Sequence, residues 1–263
     1  MIGIFDSGVG GMTVAHAVEK ALPGYDLVYF GDLARTPYGS KSPETIRRYA
    51  QQNIDFLIGK GARLIIIACN SAASVTTEEM LGQYELPIFD VINPAVTRVV
   101  EIVRQAGKKM KVGIIGTRAT VKSGVYARKI ESIVPECRVI SQECPLLVPL
   151  VEEGWLDKRE TKMILRRYLH PLRIHQVDAL VLGCTHYPLL KNLVAPRIGK
   201  KVRIIDSSEE VSACLREYLL SHPELDRTLS RGGENRFYVS DVTDAAVATA
   251  AKIFGRRIDL IRT

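Results

Sequence analysis

Short aliphatic runs alternate along this chain with longer stretches whose apolar positions recur at helical spacing. The runs Ile2–Phe5, Leu27–Phe30, Leu64–Ala68, Ile88–Val91, Val112–Ile115, Arg138–Ser141, Ala179–Leu182 and Val202–Ile205 are predicted as strands. Most are apolar at nearly every position, the pattern of strands covered on both faces in a parallel sheet. Between them Pro43–Gly59, Ala95–Ala106 and Arg159–Ile174 read as amphipathic helices. Such alternation predicts an α/β fold of mainly parallel sheets flanked by helices, with right-handed crossovers. Functional groups in such folds gather just past the carboxyl ends of strands.

Two of those ends carry a cysteine in matching surroundings. Leu64-Ile65-Ile66-Ile67-Ala68-Cys69-Asn70-Ser71 and Ala179-Leu180-Val181-Leu182-Gly183-Cys184-Thr185-His186 share four aliphatics, a small residue, Cys and then polar residues, 115 positions apart. The opening Ile2-Gly3-Ile4-Phe5-Asp6-Ser7-Gly8 has a looser echo at Val112-Gly113-Ile114-Ile115-Gly116-Thr117, 110 positions later. Two motifs repeating at nearly one offset point to a duplication, hence to two similar α/β units facing each other.

Composition narrows the classes. Hydrophobic residues make up 46% of the 263 and charged residues 25%, the balance of a folded protein with a sizeable core. No apolar run reaches the roughly 18 residues of a membrane helix. Met1 leads directly into Ile2-Gly3-Ile4-Phe5 without a basic n-region, so the cytoplasm is the expected address. The five cysteines are odd in number and irregularly spaced, with no C-x-x-C pair, which argues against a disulfide framework or structural zinc. The formal charge of +7 raises nucleic acid as a partner. Its basic residues are scattered over helical segments that also carry acids, and no aromatic-basic platform accompanies them, so a solvated surface is the favoured reading.

The chemistry therefore rests on the thiols. A single buried Cys at a strand end is ordinarily inert packing. Cys69 and Cys184 differ from Cys137, Cys144 and Cys214 in sitting where a strand gives way to hydrogen-bonding side chains, Asn70-Ser71 and Thr185-His186. Backbone N–H groups opening the next helix are expected to lower a thiol pKa there. A symmetric thiol–thiolate pair suits racemisation: one group removes the Cα proton from one face while the other delivers a proton to the opposite face. Without a cofactor ring to delocalise charge, preorganised donors must stabilise the carbanion-like state. His186 is placed to tune Cys184, and Glu152-Glu153, ordinarily exposed helix-end acids, offer one carboxylate to pair with His186. Asp6-Ser7-Gly8-Val9-Gly10-Gly11 lacks the third glycine of a dinucleotide fingerprint, where Thr13 stands. It reads as a tight strand-to-helix turn, with Asp6 an acid/base candidate and glycines that permit close approach. Pro37-Tyr38-Gly39 lies in a loop whose Tyr and backbone amides are candidates to cap a carboxylate.

The stretches Phe5-Asp6-Ser7-Gly8-Val9-Gly10-Gly11-Met12-Thr13-Val14, Tyr29-Phe30-Gly31-Asp32, Pro37-Tyr38-Gly39, Ala68-Cys69-Asn70, Val148-Pro149-Leu150-Val151-Glu152-Glu153-Gly154 and Gly183-Cys184-Thr185-His186-Tyr187-Pro188 resemble the bacterial glutamate racemases. The likeness runs nearly the whole chain and includes Phe237-Tyr238. It implies a cofactor-independent, pseudo-symmetric two-domain enzyme that holds glutamate between its domains, forms a homodimer and supplies D-glutamate for peptidoglycan. It implies a first domain of residues 1–96 plus 211–263, completed by the returning C-terminal segment, and a second of residues 97–210. Carried onto this chain, the family roles make Cys69 and Cys184 the two bases, assisted by Asp6, His186 and Glu152. Substrate contacts fall to Asp6, Ser7, Tyr38, Gly39, Asn70, Ser71, Thr185 and His186. One motif departs: the family usually reads C-N-T-A-S, and this chain reads Cys69-Asn70-Ser71-Ala72-Ala73. Ser71 keeps the hydroxyl; Ala73 loses one.

Two rivals share these residues. An aspartate racemase would use the same thiols on a shorter side chain. A thiol hydrolase would need only Cys184 and His186.

Overall fold

The computed structural model describes residues 1–263. The strands are β1 (Ile2–Asp6), β2 (Leu27–Gly31), β3 (Leu64–Ile67), β4 (Ile88–Asp90), β5 (Lys111–Gly116), β6 (Arg138–Glu143), β7 (Ala179–Gly183), β8 (Arg203–Asp206), β9 (Asn235–Val239) and β10 (Leu260–Arg262). They form two all-parallel sheets, one of order β10-β9-β2-β1-β3-β4 and one of order β6-β5-β7-β8. All eight strands expected from the aliphatic runs occur, with ends shifted by a residue or two. The helices Pro43–Gly59 and Arg159–Ile174 have the expected bounds, and the third begins earlier, at Ile92. For the first of these the start is set locally: Ser42 Oγ accepts from the Thr45 backbone N–H at 3.3 Å, and Pro43 follows it.

The repeat seen in the sequence is a repeat of topology. The order β2-β1-β3-β4 in the first sheet is matched by β6-β5-β7-β8 in the second. Its register agrees with the two offsets: Ile2 lies beside Leu64, and its counterpart Val112 lies beside Ala179. Cys69 and Cys184 thus follow equivalent strands, each next to its sheet's first strand in chain order. β9 and β10 have no counterpart in the second sheet; they extend the first beyond β2.

Side chains alternate across the second sheet and divide between two cores. Val112, Ile114, Ala179, Val181 and Ile205 join the larger core of 57 buried residues, which also contains β1–β3. Ile115, Leu180 and Leu182 face the other way, into a smaller core of 17. The helices Ile92–Ala106 and Ser207–Ser221 pack against each other on the shared side, so one apolar core ties both sheets together.

Candidate active site

The carboxyl ends of β1, β3, β5 and β7 converge on a buried cavity. Its walls are Ser7, Pro37, Tyr38, Gly39, Cys69, Asn70, Ser71, Thr117, Val148, Cys184, Thr185 and His186. Both framed cysteines therefore line one space, and both are buried, at 4% and 5% exposure. Only about 20 Å³ of it is open to water-sized molecules, room for about one. An amino acid fits here only once the walls part.

On the first-sheet side, Cys69 Sγ donates to Ser7 Oγ at 3.5 Å. Asp6 lies behind, fully buried, accepting from the Gly8 N–H at 2.9 Å and from Thr185 Oγ1, across the cleft, at 3.2 Å. Across the cavity, Cys184 Sγ is 3.8 Å from His186 Nδ1, and His186 Nε2 is 3.1 Å from Glu152 Oε1. The imidazole thus bridges thiol and carboxylate through its two nitrogens. Neither Asp6 nor Glu152 touches the cavity itself; each stands one residue behind a group that does.

The glycine turn has a sharper purpose than the sequence suggested. A Cβ on Gly10 would lie 2.4 Å from His186 Nδ1, and one on Gly11 2.2 Å from Asp6 Cβ. These glycines admit an imidazole from the other half of the molecule and a carboxylate from their own. Thr13, in the place of the missing third glycine, donates to the Gly10 and Thr185 carbonyls at 2.9 and 3.1 Å, fastening the turn to the second cysteine loop.

Electrostatics differ on the two sides. Burial, then the Asp6 charge, pushes the Cys69 thiol up to about 12, and the bonds at Ser7 and Ala72 offset only part of this. The expectation that a helix start would depress this pKa is corrected: the helix Asn70–Ala73 is a single turn, and desolvation outweighs its N–H groups. Burial likewise raises Asp6 against the opposing effect of His186 and its hydrogen bonds. Burial also disfavours a charged His186, but Cys184 and Glu152 outweigh it and hold that pKa well above 6.5.

Comparison with known proteins places this arrangement. Residues 12–212 match the family model described as Asp/Glu/Hydantoin racemase. The glutamate racemase of Geobacter metallireducens is 43% identical over 257 residues, covering 98% of this chain and 93% of that protein. The chain belongs to the glutamate racemase family. The crystal structure of glutamate racemase isoform RacE1 from Bacillus anthracis superposes with a TM-score of 0.91 at 31% identity, covering 100% of this chain and 97% of that one. The Francisella tularensis glutamate racemase, solved in complex with D-glutamate, gives 0.89 at 33% identity over 100% and 96%. The racemase is thus an isomerase of two α/β domains.

Several residues of this racemase site escaped the sequence reading. Thr117 lines the cavity, where its hydroxyl meets Ser71 Oγ at 2.8 Å and caps the following helix by accepting from the Thr120 N–H at 3.3 Å. The 110-residue offset makes it the counterpart of Ser7, the one signal of its place that the sequence carries. Tyr126 donates to Asn70 Oδ1 at 2.8 Å, leaving the buried Asn70 Nδ2 without a partner. Tyr38 lines the cavity, yet its hydroxyl donates to Asp32 and accepts from Asn53 Nδ2. It is an anchored wall whose proton is already committed, rather than a free carboxylate cap. No group of His, Cys, Asp and Glu side chains has the arrangement of a metal site.

Proposed function

We propose that this racemase interconverts L- and D-glutamate without a cofactor, using Cys69 and Cys184 as the two bases. The observation that carries the reading is that both thiols line one closed cavity at equivalent ends of two sheets. A thiolate on one face breaks the Cα–H bond and takes the proton. The carbanion then takes a proton from the opposite thiol, and the pair ends with its protonation states exchanged.

The surroundings assign starting roles. The Cys69 pKa of about 12 makes it the proton donor of the ligand-free enzyme. A cationic His186, 3.8 Å from Cys184 Sγ, is the counter-charge a thiolate base needs. For the reverse direction Cys69 must ionise beside Asp6, and the substrate ammonium supplies the compensating charge. Asn70 Nδ2, a buried donor with no protein partner, suits a substrate carboxylate. Ser7, Tyr38, Gly39, Ser71, Thr185 and His186 complete the proposed substrate contacts, with Glu152 holding His186 in place. We further infer the domain division at residues 1–96 plus 211–263 and 97–210, a cytoplasmic homodimer, and D-glutamate supply for peptidoglycan.

Incubation with L-glutamate in D2O, without cofactor, tests the reaction. The account expects inversion, deuterium at Cα of the D-product, and preference for glutamate over aspartate. Absence of inversion and exchange for both amino acids contradicts it.

A further inference from the structure

We infer that glutamate enters and leaves through a basic vestibule between the Tyr38–Ser40 turn and the helix Arg118–Ser123, an inference that rests on glutamate being the ligand of the buried cavity. Two surface pockets of nearly equal size lie near that cavity: one of about 260 Å³ shares Gly39 with it, and one of about 290 Å³ is separated from it by the bonded pair Glu152 and His186. Size does not choose between them; charge does. The first is bordered by Lys41, Arg118 and Lys122, of which only Arg118 has an acidic neighbour, Glu143 at 3.9 Å. The second is bordered by Glu152, Glu153 and Asp241; Glu152 pairs with His186 at 3.1 Å and Asp241 with Arg262 at 3.6 Å, which leaves Glu153 as its unpaired charge and the mouth net negative. Glutamate at neutral pH carries two carboxylates and one ammonium, so a net negative charge is drawn to the first mouth and repelled by the second.

The two walls also differ in what opening them breaks. Gly39 belongs to both vestibule and cavity, and Thr117, a cavity wall, directly precedes Arg118. A Cβ on Gly39 would lie 2.6 Å from Thr117 Cβ, so turn and strand end meet in a tight seam. The polar contact beside it is the hydroxyl pair of Ser71, on the helix Asn70–Ala73, and Thr117 at 2.8 Å, a neutral bond that water can replace. At the other mouth the wall is Gly8, His186 and Glu152. Passage there must press past His186, which is seated against Gly8 and Gly10 and bonded to Glu152, and so disturbs the catalytic imidazole itself. The seam at Gly39 and Thr117 is therefore the gate, and Lys41, Arg118 and Lys122 steer the substrate toward it.

The test is the association rate constant of L-glutamate with a Cys69→Ser enzyme, from NMR relaxation dispersion of the ligand at low and high salt. Lys41→Glu combined with Lys122→Glu is expected to slow association about tenfold or more at low ionic strength, with the loss fading as salt screens the charges. Ser40→Trp, on the exposed lip, is expected to slow association and dissociation by the same severalfold factor and to leave Kd within about twofold, the signature of a route rather than a contact. Glu153→Lys at the other mouth is expected to change association by less than about twofold. Association unaffected by both vestibule variants, or as sensitive to Glu153→Lys, overturns the inference. Turnover surviving in Cys69→Ser would contradict the two-thiol reading instead, while the rates still decide the route.

Discussion

Gly10→Ala tests whether the glycine turn exists to seat His186. The added Cβ would stand 2.4 Å from Nδ1, 2.6 Å from Cε1 and 2.8 Å from Cγ of the imidazole, against the roughly 3.0 Å that real Cβ contacts require. The ring must therefore retreat by about 0.6 Å or more, an overpacking that costs about 1–3 kcal/mol in a filled interior. It has little room to do so, since His186 is 2% exposed and held by Glu152 at 3.1 Å. The backbone offers no other reason for harm, because Gly10 does not lie in the left-handed region. A misplacement approaching 1 Å costs about 10²-fold in rate when it disturbs a catalytic geometry. The assay is kcat for both enantiomers beside urea unfolding, with Gly59→Ala as control, a helix position where a Cβ meets open space. The expected result is a large fall in kcat for Gly10→Ala and none for Gly59→Ala. A Gly10→Ala enzyme that folds normally and keeps kcat within about twofold would refute the reasoning.

Other consequences concern charge and fastening. Glu152→Gln removes one of the interactions that keep His186 charged, so the alkaline limb of kcat should move to lower pH. The same linkage acts on stability: because the folded pKa of His186 exceeds 6.5, its contribution is complete below that pH and is lost as pH rises through the folded value. Thermal unfolding against pH should show that loss in the native enzyme and less of it in Glu152→Gln. Thr117→Val deletes a helix cap and the bond to Ser71, and should lower stability by about 1–2 kcal/mol in urea unfolding. Ser71→Thr with Ala73→Ser restores the usual family motif and is expected to alter KM; unchanged kcat and KM would show that the departure has no kinetic consequence.

The large features of this molecule were legible because they depend on local pattern. Fully apolar runs of four or five residues marked the inner strands, and the paired offsets marked the doubled topology. β9 was missed because Asn235-Arg236 opens it and only Phe237-Tyr238-Val239 carry the apolar pattern. β10 is three residues long and mostly exposed, with too little pattern to register. In the site, motif and resemblance located the thiols, His186 and Glu152, since their spacing along the chain is distinctive. What the sequence could not supply was environment. The rise of Cys69 to about 12 comes from burial and from Asp6 folded behind it. Tyr38 reads as a free donor in the sequence because Asp32 and Asn53, which occupy its hydroxyl, reach it only through the fold, from a strand end and from a helix. Thr117 carries no motif of its own, and only the 110-residue offset that makes it the counterpart of Ser7 points to it.

The central claim is that two thiols act on one substrate from opposite faces. Racemisation of L- and D-glutamate by the native enzyme, Cys69→Ser and Cys184→Ser, at matched folding and concentration, tests it most directly. The account predicts that either substitution alone abolishes inversion in both directions, by about 10³-fold or more, because each direction needs both a base and an acid. Inversion that survives the loss of either cysteine at a comparable rate would contradict it.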